Sequence, residues 1–157
     1  MNKWLRLFFA ILFCQGAGVV GSFFTVSAID GWYKFLIKPV FSPPNWIFGP
    51  VWLTLYTLMG LALFIVWQKR LDSKNVRFAF WFFIIHLVFN ALWSVVFFGF
   101  QDIRFAFVVI LILWMMIAVL MLKFYKINRV SAYLLMPYFL WVSFATILNY
   151  SIWQLNG

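Results

Sequence analysis

The sequence predicts an all-α membrane protein, built as a bundle of five transmembrane helices. Of its 157 residues, 67% are hydrophobic and only 10% are charged, whereas soluble domains carry roughly a quarter charged residues. The stretches without Asp, Glu, Lys or Arg are 7–29, 39–68, 78–101, 105–122 and 130–157. A spanning helix needs about 20 apolar residues, so each stretch is long enough, the fourth only just. None alternates apolar and polar residues, as the strands of a membrane barrel would.

The first helix begins near the amino terminus and is expected to stay in the protein. Lys3 and Arg6 before an apolar run resemble a secretory signal peptide, but the run is longer than the apolar region of such peptides. Cys14 is expected to be buried as a small apolar residue, and Ala17 and Gly21 predict a close helix contact. We expect a single domain, 1–157, with a lid loop at about 28–42 and helices at about 5–28, 43–68, 78–100, 104–124 and 130–154.

The connection at about 28–42 is aromatic and is the longest in the chain. Asp30 is predicted to cap a short helical turn in it, and Pro39 to end that turn at Lys38, because a residue before proline leaves the helical region. Composition alone favours Trp32 and Tyr33 lying among lipid headgroups as an interfacial belt. The alternative is that they cover a site as a lid.

The second helix begins within a cluster, residues 39–50, that holds four of the five prolines of the chain. Ser42 is predicted to cap this helix, with Pro43 at the first helical position, where the missing N–H costs nothing. Pro50 falls inside the helix and, together with Gly49, should bend it there.

The basic residues indicate the orientation of the bundle. Because basic residues concentrate on the cytoplasmic side, the amino terminus is expected inside and the carboxyl terminus outside. The net charge of +9 then reports orientation and contact with anionic headgroups, and we expect no nucleic-acid partner. A bacterial cell membrane is the expected location. One side holds Lys3, Arg6, Lys69, Arg70, Lys74, Arg77, Lys123, Lys126 and Arg129, and the other holds Lys34, Lys38 and Arg104.

The chain has few of the residues that conventional catalysis uses. Its three acids, Asp30, Asp72 and Asp102, all fall in predicted loops, and it has one histidine. No acid pair, nucleophile triad, metal-ligand cluster or phosphate loop can be assembled, so no metal and no required cofactor are expected. An ionisable residue inside a span is a candidate functional group, and His86 could ligate a haem iron or bond a ligand. The favoured interpretation is that it bonds a carbonyl on a neighbouring helix.

Polar and aromatic residues recur at helical spacing on three of the helices. In the third helix, Asn90 lies one turn from His86. That face continues through Trp93, Ser94 and Phe97. Such stripes are more often packing surfaces than ligand pockets, although the small Ala145 among large neighbours would leave room; spacing alone leaves both interpretations open. The other stripes are Phe48, Trp52 and Tyr56, and Leu134, Tyr138, Trp141, Ala145 and Leu148.

Three segments together resemble a known family. They are WYKFLIKPVFSPPNWIFGPVWLTLYTLMG (32–60), FNALWSVVFFG (89–99) and PYFLWVSFATILNYSIW (137–153). They resemble the TspO/MBR family, the tryptophan-rich sensory proteins, which include the animal translocator or peripheral benzodiazepine proteins. The resemblance implies a five-helix bundle, often a homodimer, with a cavity beneath the loop between helices 1 and 2. It also implies binding of porphyrins, such as protoporphyrin IX and haem, and of isoquinoline carboxamide or benzodiazepine ligands.

The resemblance also implies which residues bind the ligand. Two departures are visible: Phe105 stands where the family often has tryptophan, and no basic residue follows Arg129 to form the animal cholesterol motif, so sterol binding is not expected. The implied ligand-binding residues are Trp32, Tyr33, Phe48, Trp52, Asn90, Trp93, Trp141, Phe144, Ala145 and Leu148.

Three functions compete at this point. The first is a porphyrin-binding receptor or transporter with a role in tetrapyrrole handling or stress sensing. The second is a light-dependent porphyrin-degrading enzyme in which Trp52 or Trp141 carries radical chemistry. The third is a regulatory membrane partner without a substrate.

Overall fold

The computed structural model describes residues 1–69 and 71–157, and these form helices and connections without a strand. Five segments are long and apolar enough to cross a membrane. The predicted all-α membrane architecture is thereby confirmed. The helices are α1 (Lys3–Ile29), α2 (Asn45–Trp67), α3 (Lys74–Ser94) with a π-helical end (Val95–Gly99), α4 (Ile103–Ile127), α5 (Arg129–Leu134) and α6 (Met136–Asn156), with a 3₁₀ turn at Tyr33–Phe35.

The segments pack as a closed ring. Helix α1 contacts α2 and α3, α3 contacts α4, and α4 contacts α5 and α6, while α2 closes the ring against α5 and α6. Because hydrophobic burial does not drive helices together in lipid, close packing and interhelical hydrogen bonds must do so. The indole N–H of Trp114 on α4, for example, donates to the Ser143 hydroxyl of α6 at 2.8 Å.

Glycines set how closely α1 approaches its neighbours. A Cβ on Gly60 of α2 would lie 2.8 Å from the backbone of α1, and one on Gly18 would lie 2.6 Å from the Tyr56 ring. A Cβ on Gly21 would lie 3.1 Å from the Ser94 hydroxyl oxygen of α3. The expected close contact at Gly21 is therefore made inside the bundle, where small residues let helices approach.

Helix α2 begins at Asn45 with Pro44 at the N-cap, so the predicted start at Ser42 and Pro43 is wrong. The reason is the double proline: a residue before proline is pushed toward extended backbone, which holds both Ser42 and Pro43 outside the helix. Ser42 instead ends a turn in which its N–H donates to the Pro39 carbonyl at 3.0 Å. Pro50 lies inside α2 as expected.

The connection between α1 and α2 also differs from the prediction in detail. Helix α1 continues to Ile29, so Asp30 is its C-cap residue and does not cap the following turn. That turn, Tyr33–Phe35, begins after Trp32 without a side-chain cap, and the chain becomes extended at Leu36, two residues before the expected end at Lys38.

The third and fifth spans carry breaks that the sequence pattern did not predict. The fifth span, expected as one helix over 130–154, is interrupted at Leu135, because Pro137 at the start of α6 has no N–H to continue the helical bonding. The end of α3 widens into a π turn, in which the Phe100 N–H donates to the Val95 carbonyl at 2.9 Å. Such turns recur at functional sites.

Candidate functional site

A cavity of about 510 Å³ lies between the helices at the end of the bundle where α1 ends and α2 begins. Residues of α1, α2, α3 and its π turn, α6 and the connecting loop line it. Ligand pockets typically measure about 300–1,000 Å³ and have apolar walls with few polar groups, so the size and lining suit a large apolar ligand. The aromatic lining residues are Tyr33, Trp46, Phe48, Trp52, Tyr56, Trp93, Phe97, Phe98 and Trp141.

The structure brings most of the sequence-predicted site residues together around this cavity. Those that line it are Tyr33, Phe48, Trp52, Trp93, Trp141, Ala145 and Leu148. Trp32, Asn90 and Phe144 are not among the lining residues.

Trp32 and Phe144 lie behind the lining. Trp32 packs edge-to-face on Phe97, with ring centroids 5.7 Å apart. The Phe144 ring lies 5.5 Å from that of Trp141 and 6.2 Å from that of Phe41 in the loop. Both therefore support residues of the wall or the loop and hold their positions.

The loop closes over the outer end of the bundle. Tyr33 is only 3% exposed and packs on Phe97, so the interfacial belt expected from composition is wrong for this residue. Burial raises the pKa of its phenol above the ordinary value, and the Lys38 ammonium lies 4.7 Å from the ring centroid. The Asn156 side chain fixes the loop to α6, since it donates to the Ile37 carbonyl at 2.8 Å and accepts from the Ile37 N–H at 3.0 Å.

Asn90 is buried beneath the cavity in a hydrogen-bonded chain that joins three helices. Its Oδ1 accepts from the Tyr56 hydroxyl of α2, and its Nδ2 donates to the Tyr138 hydroxyl of α6 at 2.9 Å. His86 Nε2 lies 2.9 Å from the same Tyr138 oxygen, and His86 Nδ1 lies 2.9 Å from the Phe83 carbonyl oxygen.

The donor and the acceptor in every bond of this hydrogen-bonded chain follow from its first bond, between His86 and the Phe83 carbonyl. The Phe83 carbonyl can only accept, so His86 Nδ1 carries the hydrogen, and in the neutral imidazole Nε2 then accepts from Tyr138. Tyr138 in turn accepts from Asn90, which accepts from Tyr56. Both nitrogens of His86 are thus occupied, which agrees with the expected role in holding helices together. The expected partner is wrong: the group on the neighbouring helix is the Tyr138 hydroxyl, and the carbonyl is that of Phe83 on the same helix.

Tyr56 is the member of this chain that reaches the cavity. The Trp52 ring stacks on it with centroids 5.4 Å apart and lies edge-to-face with Tyr138 at 6.3 Å. The buried chain therefore fixes the Tyr56 ring, and through it the indole of Trp52 that forms part of the wall.

A second set of polar contacts orients the indole of Trp93 on α3. The Trp93 N–H donates to Asn149 Oδ1 at 3.0 Å, and Asn149 Nδ2 donates to the Ile103 carbonyl at 3.0 Å. Because its N–H is occupied, the Trp93 ring is held in one orientation at the cavity. Asn149 itself lines the cavity.

Several lining residues were not among the predicted site residues. Phe97 lay on the predicted stripe of the third helix but was not chosen as a site residue. Phe98 comes to the inside through the π turn, which no sequence signal indicated. Gln15 lines the cavity and donates to the Thr57 hydroxyl at 3.0 Å, joining α1 to α2. An amide within an apolar span is itself a signal of an interior or functional position, so Gln15 was open to detection.

Comparison with known proteins decides the family. The TspO/MBR family model matches residues 10–154. The chain belongs to the TspO/MBR family. It is 40% identical over 157 residues to the "Tryptophan-rich protein TspO" of Chlorobaculum tepidum, covering 99% of both chains. It is 38% identical to the protein of the same name from Archaeoglobus fulgidus, covering 98% of both, and 34% identical to the human "Translocator protein", covering 87% of this chain and 82% of that one.

As a TspO/MBR protein with five apolar spans, the chain is an integral membrane protein. The indoles of Trp52 and Trp141 both line the cavity, and the Trp141 ring lies 6.0 Å from that of Phe48. Within residues 1–69 and 71–157, no three His, Cys, Asp or Glu side chains come together as a metal site.

Proposed function

We propose that this TspO/MBR protein is a membrane receptor that binds a porphyrin, such as protoporphyrin IX or haem, in the aromatic cavity. The single observation that carries the proposal is the cavity itself: about 510 Å³, with aromatic side chains from three helices and the loop around it. A porphyrin is a broad, flat ring system with charged groups at one edge. Aromatic faces stack on such a ring at contributions of about 0.5–1.5 kcal/mol per pair beyond the area buried.

The walls are pre-formed for a flat ligand. Trp52 is fixed by its stack on Tyr56, and Trp93 by its bond to Asn149. Binding to rigid groups loses little side-chain entropy, which raises affinity for a given contact area. Isoquinoline carboxamide and benzodiazepine ligands are smaller apolar aromatics, and the same walls are proposed to accept them.

The polar groups of the cavity lie mainly on α1 and at the start of α2. The hydroxyls of Ser22 and Thr25 donate to carbonyls of their own helix at 3.0 and 2.9 Å, so their oxygens are left to accept. Gln15 and Asn45 contribute amides to the lining. In the proposed function the Asn45 amide donates to the carboxylates at the polar edge of the ligand, and the Ser22 and Thr25 oxygens accept from an O–H or N–H group of the ligand.

The setting of the receptor is part of the proposal. The excess of basic residues on the side of the α2–α3 connection supports an amino terminus in the cytoplasm, and in this orientation the cavity is proposed to open toward the outer side of a bacterial cell membrane. A homodimer is proposed from family resemblance, with transport or stress sensing in tetrapyrrole handling as the process served. No sterol site is proposed, because the chain has no basic residue after Arg129.

The test is a titration with protoporphyrin IX followed by quenching of tryptophan fluorescence. Ala145→Phe places a ring in the cavity and should weaken binding at least tenfold, about 1.4 kcal/mol. Ile147→Phe is the matched control, because Ile147 lies two residues away on α6 and is 59% exposed; it should bind as the wild type does. Equal affinity in all three proteins refutes the proposal.

Light-dependent degradation of the bound porphyrin is the second candidate function. It is favoured by the position of Trp52 and Trp141 at the cavity, where an indole could exchange an electron with an excited porphyrin. The Trp52→Phe/Trp141→Phe protein should bleach porphyrin more slowly under illumination than a control in which the exposed Trp4 and Trp81 are replaced by Phe. Equal bleaching by both double variants rejects the tryptophan mechanism.

A further inference from the structure

A second concave surface runs along the outside of α3, far from the ligand cavity. It encloses about 370 Å³ and is lined by Lys74, Arg77, Phe78, Trp81, Phe82 and Ile85. These residues recur at intervals of three and four, so they form one stripe on the helix. We name this surface the α3 groove.

The α3 groove is cationic at one end and apolar along the rest. Lys74 and Arg77 lie in the first turn of α3, which contains no acidic residue, so they add to the positive end of the helix dipole. Helix α4 contributes a third cation, since the Lys123 ammonium lies 5.2 Å from the centroid of the Phe78 ring. Asp72 is the one acid in the sequence on this side of the bundle.

The apolar part covers most of the depth of one membrane leaflet. Residues 78 to 85 span about 10 Å of helix at about 1.5 Å per residue, and half of a hydrocarbon core of about 30 Å is about 15 Å. Trp81 is 59% exposed, and Phe78 and Ile85 are also exposed, so aromatic and aliphatic surface faces the lipid along that length of helix.

We propose that the α3 groove binds one anionic phospholipid from the leaflet on the side of the α2–α3 connection. Its phosphate lies among Lys74, Arg77 and Lys123, and an acyl chain lies along Phe78, Trp81 and Ile85. Charge complementarity decides the occupant. A second copy of the chain, docked by the same surface about a two-fold axis, would bring these cations together without compensating acids, and free phosphate would leave the apolar part uncovered.

This site is independent of the proposed function, because it shares no lining residue with the ligand cavity. Its ligand comes from the bilayer that surrounds the protein. A bound lipid here would bridge α3 and α4 at their ends.

The test is native mass spectrometry of protein released from micelles that contain equal amounts of phosphatidylglycerol and phosphatidylcholine. Wild type should retain one phosphatidylglycerol in preference to phosphatidylcholine. Each basic residue near a membrane surface contributes about 1 kcal/mol, or roughly fivefold. Lys74→Gln/Arg77→Gln should therefore reduce the preference about 10- to 30-fold.

The matched control is Lys126→Gln/Arg129→Gln, which removes the same charge on the same side but outside the α3 groove. It should change the preference for the lipid retained in the groove less than about twofold, because neither side chain lines the groove and changes at separate sites act independently. An equal loss in both double variants would show a general surface-charge effect, and no loss in either would show no site; each result overturns the proposal. Loss of a dimer mass without loss of lipid would make the groove a protein interface and would overturn it as well.

The apolar part is tested separately with Trp81→Ala. It should reduce the retained phosphatidylglycerol at least roughly threefold, because buried aromatic surface is lost. Leu140→Ala, an exposed position on α6, should leave retention unchanged. Equal retention in the two variants would mean that no acyl chain lies on Trp81.

Discussion

Replacing Tyr138 with Phe should destabilise the bundle more than the loss of one ordinary hydrogen bond. The hydroxyl accepts from Asn90 and donates to His86 at 2.9 Å in each case. Without it, two fully buried polar groups lose their partner at once. An unpaired buried group costs about 1–3 kcal/mol in soluble proteins, whereas measured interhelical bonds in membranes average about 0.6 with a maximum near 1.7 kcal/mol. Two such losses predict about 1–3 kcal/mol.

The assay is reversible unfolding in mixed micelles, applied as a double-mutant cycle between Tyr138→Phe and Asn90→Leu. The two residues share one bond of the chain, so the double variant should lose less than the sum of the single losses, with a coupling of at least about 0.5 kcal/mol. Ser151→Ala on the exposed side of α6 is the control, because its hydroxyl bonds only to its own helix. Additive losses would refute the inferred hydrogen-bonded chain.

Three other predictions address the glycine contact, the proline and the loop. Gly18→Ala would put a Cβ 2.6 Å from the Tyr56 ring and should lower the free energy of unfolding by about 1–3 kcal/mol. Gly16→Ala, with nothing within 4 Å, should raise it by up to about 1 kcal/mol. The same change in both variants, measured by thermal unfolding, would contradict the close contact at Gly18. Pro50→Ala should weaken porphyrin binding more than it changes the unfolding temperature, because a bend expected at Pro50 would set the direction of Trp52 on α2; an equal loss of both would leave Pro50 with a structural role alone. Burial raises the pKa of Tyr33, so the closed loop favours the neutral phenol. The neutral phenol stabilises the closed loop fully below the ordinary pKa of about 10, and this stabilisation is lost as pH rises through the higher folded-state pKa. Ligand dissociation should therefore be constant from about pH 7 to 9 and faster only above about 10, and stopped-flow measurement should show no such acceleration in Tyr33→Phe.

The fold was predictable because the membrane makes one demand that sequence displays directly. Helices that cross lipid must exclude charge over about 20 residues, and the charge-free stretches correspond to the observed spans. Element ends were less predictable. The Pro43-Pro44 pair delays α2 to Asn45, and Pro137 breaks the last span, because backbone rules at proline act on neighbouring residues.

The site was predictable as far as helix faces determine it. Trp52 and Ala145 lie on the predicted stripes and line the cavity. Asn90 lies on an interior face as expected, but Tyr56 and Tyr138 from two other helices bond its amide. The packing of three helices decides which of these side chains meet, and the spacing of residues along one helix does not predict that packing. The position of Phe98 at the wall likewise depends on the π turn.

The measurement that tests the central claim most directly is the dissociation constant of protoporphyrin IX for wild type, Ala145→Phe and Ile147→Phe in the same micelle. If the aromatic cavity is the binding site, Ala145→Phe binds at least tenfold more weakly, about 1.4 kcal/mol, while Ile147→Phe keeps the wild-type constant. If Ala145→Phe binds as tightly as wild type and remains folded, the ligand does not occupy the cavity and the proposed function is wrong.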